Sequence, residues 1–263
     1  MLRKLLKYDL AAMYKFLIIF YSLSLFFGIL TRLFFRIENS FIMNVVGQIF
    51  SGAAISMMIS VLINNLMRLW VLFRKDFYGD KSYLTHTLPV KKRTLYLSKI
   101  LLTVLTVLSS VAVIGITLFA AYYSKENLQA VKAALLPFAN AYESTVVKII
   151  AAFLFVFFLE FVNVIQVGYT GILLGHKMNR SKVVFSVLFG FLTYMALQIV
   201  VLGITFISAL FNKDLMNLFF TVDLISVDII KFTVILSIAI YSIMFVVLCF
   251  VNIKILNRGV NVD

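Results

Sequence analysis

The stretch Ile100-LLTVLTVLSSVAVIGITLFAAY-Tyr123 runs for 24 residues without an Asp, Glu, Lys or Arg. A helix rises 1.5 Å per residue, so about 20 apolar residues cross the roughly 30 Å hydrocarbon core of a bilayer. Five further uncharged or nearly uncharged runs of that length lie near residues 16–35, 41–63, 146–174, 183–211 and 229–253. With 63% hydrophobic residues, 13% charged residues and a mean hydropathy of +1.05, 263 residues hold more apolar surface than one water-soluble core can bury. The expectation is an all-α polytopic membrane protein with six transmembrane helices. The two prolines, Pro89 and Pro137, fall between the runs, so none of the six needs a proline kink. The single cysteine, Cys249, lies in the last run and has no intrachain partner for a disulfide. The first run is longer than a signal core and no small-x-small cleavage pattern follows it, which predicts a permanent span.

The cations assign the faces. Seventeen of the 24 Lys and Arg residues fall on one side of a six-span chain, at the N-terminus, in 64–99, in 175–182 and after the last span. Seven fall on the other: Arg32, Arg36, Lys125, Lys132, Lys148, Lys213 and Lys231. The positive-inside bias makes the richer side cytoplasmic, with both termini inside. The net charge of +13 is thereby read as topology, and nucleic acid is excluded as a partner because no soluble module with groove-reading elements carries it. Within 1–15, Leu2, Leu5, Leu6, Leu10 and Met13 alternate at helical spacing with Arg3, Lys4, Lys7 and Lys15, the pattern of an interfacial helix on the inner leaflet.

Between the second and third runs lies the polar segment 64–99. Leu66, Leu69, Trp70, Phe73 and Phe77 keep helical spacing beyond the bilayer, which predicts a helix continuing to Gly79. Asp80 can then cap a short helix over 81–87, and Pro89 closes it. Lys91, Lys92 and Arg93 follow, placed to meet anionic headgroups.

The stretch Asp80-KSYLTHTLPVKKRTLYLS-Lys99 resembles the cytoplasmic loop of bacterial ABC transporter permeases of the type-two exporter class, and the layout of six spans with both ends inside is similar across the chain. That resemblance implies a single permease domain over 1–263 in a bacterial cell membrane. It further implies a coupling helix that docks on a separate cytoplasmic ABC ATPase through Asp80, Tyr83, Leu84 and Leu88, with a weaker second contact at 175–182. The partners implied are that ATPase, a second permease copy or paralogue, and the lipid bilayer. ATP and Mg would be bound by the ATPase, and this chain would bind no cofactor.

The residues themselves carry no catalytic pattern. The nearest approach to G-x-x-x-x-G-K-[ST] is Gly175-HKMNRS-Lys182, with Arg180 at the second glycine position, so if this is a driven transporter, nucleotide hydrolysis must come from another chain. His86 and His176 are far apart and no H-E-x-x-H spacing occurs. The spans offer one deep carboxylate, Glu160, without a neighbouring histidine. A non-enzymatic subunit is therefore expected.

A charge at the depth of Glu160 costs roughly 2.5 kcal/mol or more, so it should face protein or water. Asn163, Gln166 and Thr170 continue a polar strip along the same helix, read either as part of a pathway or as interhelical hydrogen bonding. Asn44 and Gln48 share a face of the second span, and Tyr194 and Gln198 are four apart in the fifth. The resemblance makes those two spans part of a pathway and dimer seam, which adds Gln48 and Gln198 to Glu160 and Asn163 of the polar strip as the pathway candidates. Gly171 and Gly175 form one G-x-x-x-G pair, a site for close helix approach. Outside, 124–145 and 212–228 are long enough for small helices, with Leu128, Val131 and Leu135 at helical spacing. The reading is a permease subunit of an ATP-driven exporter; its alternative is a non-transporting membrane scaffold or sensor that recruits a partner through the basic loop.

Overall fold

The structure is a computed structural model that describes residues 2–37, 41–79, 82, 87, 90–141, 144–178, 181–212, 215–216 and 227–258. Among these, seven helices follow one another with no strand: α1 (Leu2–Phe35), α2 (Phe41–Tyr78), α3 (Lys92–Tyr122), α4 (Lys125–Ala141), α5 (Val146–Gly175), α6 (Lys182–Leu210) and α7 (Val227–Asn257). All but α4 are long and apolar enough to cross a membrane. The six runs of the sequence thus fall one to a helix, and an unbroken helix is how an isolated segment satisfies its backbone groups in lipid.

All six spanning helices are longer than the roughly 20 residues a bilayer core requires, and α1 and α2 are the longest. The 34 residues of α1 and the 38 of α2 correspond to about 51 and 57 Å, so roughly 21 and 27 Å respectively lie beyond a hydrocarbon core of about 30 Å. The predicted continuation of α2 is present: its helix runs to Tyr78, and the Gly79 N–H still donates to Lys75 O at 3.2 Å. In α1 no break separates the amphipathic residues 2–15 from the apolar run, and the two form one helix.

The chain divides into two compact units, 1–129 and 130–263. In the first, α1 packs against α2 and α3, which also touch each other. Met13, Leu17, Val61, Leu69, Phe73, Phe77, Tyr96 and Leu102 are buried there. Gly28 brings α1 close to α3: a Cβ on it would lie 2.9 Å from Thr117 Cγ2 and 3.2 Å from Thr117 O. Hydroxyls link the three helices where apolar packing alone would not fix their rotation. Tyr21 bonds Ser109 and Ser110 (3.0 and 2.9 Å), Asn65 Nδ2 donates to Ser110 Oγ (2.8 Å), and Ser24 meets Thr117 (3.1 Å). Such bonds are worth a fraction of a kcal/mol to about 1.7 kcal/mol each in membranes, and they select one packing over its rotamers.

In the second unit α5 is central, packed against α6 on one side and α7 on the other. The α5–α6 crossing is made by absence of side chains. A Cβ on Gly171 would stand 2.5 Å from Ser186 O and 2.7 Å from Gly190 Cα, and one on Gly175 would stand 2.3 Å from Ser186 N. The glycine pair singled out in the sequence therefore has a partner, Ser186 and Gly190, itself a small-xxx-small pair. Most of α6 is otherwise uncovered, with Val187, Phe191, Ile199 and Leu202 each well exposed, as lipid-facing residues are.

Candidate functional sites

The four coupling candidates Asp80, Tyr83, Leu84 and Leu88 lie outside the described residues. The supports on either side of them are described. The end of α2 and the start of α3 form a packed pair, with Phe73 and Phe77 centroids 4.6 Å apart and Tyr96 edge-on to Phe73 at 6.4 Å. Ser82 is buried, and its N–H donates to Gly79 O at 2.8 Å, tying the outgoing segment to the α2 terminus. On the return side Lys91 caps α3 through its carbonyl, which accepts from Thr94 N–H at 2.8 Å.

Beneath this pair lies an ion cluster. Lys99 Nζ donates to Asp9 Oδ2 at 2.6 Å and to Asp76 Oδ2. Each member comes from a different helix, Asp9 from α1, Asp76 from α2 and Lys99 from α3, and the side chains of Lys99 and Asp76 are 8% and 10% exposed. Further along α1 and α2, the Arg68 guanidinium sits 5.0 Å above the Phe16 ring, an attraction between the cation and the ring quadrupole. The sequence expectation counted Lys99 only among topogenic charges. Its embedding between Leu95, Leu97, Ile100 and Leu101, where an unpaired ammonium would be costly, was the available signal.

The weaker contact expected at 175–182 is partly structural. His176 is buried as the C-cap of α5, its Nδ1 2.9 Å from Ile172 O and 3.4 Å from Ser186 Oγ. Ser181, at φ 47°, turns the chain in the left-handed region immediately before α6.

Of the pathway candidates, Gln48 is exposed on α2 and Gln198 half-buried on α6. The strip of α5 is engaged with α7. Asn163 Nδ2 donates to Tyr241 O (2.9 Å), Thr170 Oγ1 to Asn252 Oδ1 (2.8 Å), Asn252 Nδ2 to Gln166 O (3.3 Å), and Cys249 Sγ to Gln166 Oε1 (3.2 Å). These bonds give α5 and α7 a parallel register with 163 beside 241.

Glu160 is half-buried at the middle of α5. The antiparallel register set by Gly171 against Ser186 and Gly190, carried eleven residues along both helices, places Glu160 level with 197–201 of α6, the neighbourhood of Gln198. On α7 the register places it near 238, one helical turn from Tyr241. At this depth a cleft of about 110 Å³ opens between α6 and α7, lined by Val201, Thr205, Thr233, Ser237, Ile240 and Tyr241 among others. The structure thus gathers Glu160, Asn163 and Gln198 at one level of the second unit, with Tyr241, which sequence spacing did not connect to them.

No family model matches the chain, and no curated protein or solved structure matches it. What it does must be argued from its own residues.

Proposed function

We propose that the chain is the membrane-spanning permease subunit of an ATP-driven exporter of the ABC type in a bacterial cell membrane. Two copies, or a copy and a paralogue, would form the pathway, and separate cytoplasmic ATPases would drive it. One observation carries this reading. Residues 79–91 connect two helices that run past the bilayer, are packed on each other by Phe73, Phe77 and Tyr96, and are pinned to α1 by Lys99 between Asp9 and Asp76. A topogenic loop needs no such footing. A segment that takes a push from a soluble partner and passes it to three membrane helices does.

The cation distribution supports an orientation with that segment and both termini in the cytoplasm. In a Cys249→Ser background, Thr87→Cys and Asn127→Cys should therefore label from opposite faces of sealed vesicles; labelling of both from one face would reject the topology. Both positions are exposed.

The test of coupling is the double variant Tyr83→Ala, Leu84→Ala. Truncating a central interface anchor costs about 2 kcal/mol, or roughly thirtyfold in affinity. The variant should reach the membrane at normal abundance and lose co-purification of its partner ATPase, whereas Lys91→Ala, at the rim, should change it little. Normal ATPase binding and transport by the double variant would favour the scaffold reading.

A further inference from the structure

Among the described residues of α5, α6 and α7, no cation lies at the depth of Glu160. Along α5 the only Lys or Arg is Lys148, along α6 only Lys182, and along α7 only Lys231 and Lys254. All four lie toward helix ends, and the registers above put Lys231, the nearest in level, about 10 Å away along the axis. A carboxylate at mid-bilayer depth is strongly disfavoured without a counter-charge, and this one lies level with the cleft between α6 and α7.

The rest of that level is also electron-rich. The Thr205 and Thr233 hydroxyl protons are turned back onto the carbonyls of Val201 and Ile229, at 2.8 and 3.0 Å, so their oxygens are left as acceptors toward the cleft they line. The Asn163 carboxamide donates to Tyr241 O, while its buried Oδ1 accepts from no group among the described residues. Tyr241, which lines the cleft, contributes an aromatic face, and such faces attract cations most strongly when desolvated. Hydroxyl oxygens, a π face and one carboxylate, beside exposed aliphatic surface at Val200 and Ile204, suit a positive head joined to an apolar tail.

We propose that this cleft binds an organic cation, the ammonium head of an amphiphile whose tail stays in the lipid alongside α6 and α7, with Glu160 as its counter-ion. The volume of about 110 Å³ admits a small alkylammonium head and leaves the tail outside. The inference deepens the permease reading by giving its substrate a charge and a shape, yet binding can be measured without any ATPase, so that reading and this site can fail separately.

The experiment uses the full chain in nanodiscs of zwitterionic lipid, with radiolabelled dodecyltrimethylammonium as probe and dodecyl sulfate and dodecyl maltoside as tail-matched competitors. Saturable binding of the cation is expected, uncompeted by the sulfate or the maltoside. Glu160→Gln should weaken it about tenfold, equivalent to 1.4 kcal/mol, and Glu160→Asp should retain most of it. Thr205→Phe, which fills the cleft without changing charge, should weaken it comparably and carries the test if Glu160→Gln fails to assemble. Binding unchanged in both Glu160→Gln and Thr205→Phe, or equal competition by the three amphiphiles, overturns the proposal.

Discussion

Gly175→Leu separates α5 from α6 and leaves the second unit unassembled, while Gly203→Ala, on the same pair of helices, is neutral or mildly stabilising. The contrast follows from what a new Cβ would meet. At Gly175 it falls 2.3 Å from Ser186 N and 2.5 Å from Ser186 Cα, and at Gly203 nothing lies within 4 Å. Backbone cannot step aside as a side-chain end can, so the helices must part. Even Gly175→Ala should cost about 1–3 kcal/mol, the usual range for overpacking, and Gly171→Ala, 2.5 Å from Ser186 O, should behave alike. Gly203→Ala gains up to about 1 kcal/mol of helix propensity with no clash. Thermal unfolding in detergent, followed by size-exclusion profile, reads the difference. A Gly175→Leu variant as stable as the parent would mean that α5 and α6 do not cross at these residues.

The second large effect is at Lys99. Lys99→Met should destabilise the first unit by about 3–5 kcal/mol, because removing one partner of a buried ion cluster strands the others. Here it strands Asp9 and Asp76 against each other, two carboxylates that the ammonium now holds together. Lys99→Arg should recover much of the loss. Pairing Lys99→Met with Asp76→Asn should recover part of it, since one of the stranded charges is then gone. The coupling energy from that double-mutant cycle, measured by thermal unfolding, should exceed about 1 kcal/mol. Additive effects would show that Lys99 and Asp76 do not interact. Under the permease reading the same variant, rescued for folding, should still bind ATPase through 79–91 but transmit its stroke poorly to α1.

Much of the helical layout was legible along the chain. The extension of α2 beyond the bilayer was readable because Leu69, Trp70, Phe73 and Phe77 kept a helical period after the apolar run had ended, and Gly79 marked its end. The glycine pair at 171 and 175 was visible, but its opposing surface was not, since Ser186 and Gly190 resemble any other small residues until α5 and α6 are crossed. The polar strip Asn163, Gln166 and Thr170 was visible too, though not the Tyr241, Cys249 and Asn252 it bonds on α7.

Hydropathy is a property of one segment against lipid, so the sequence alone determines that six helices form, roughly where they begin and end, and which loops carry the positive charge. Which face of each helix turns toward which neighbour depends on contacts between segments 80 or 90 residues apart, and no single segment encodes it. Only the tertiary structure therefore decided that Lys99 is a clamp between Asp9 and Asp76, and that Glu160 stands level with Tyr241 and a cleft: a charge in low dielectric is governed by the partners within a few ångströms of it, and those partners arrive from other helices.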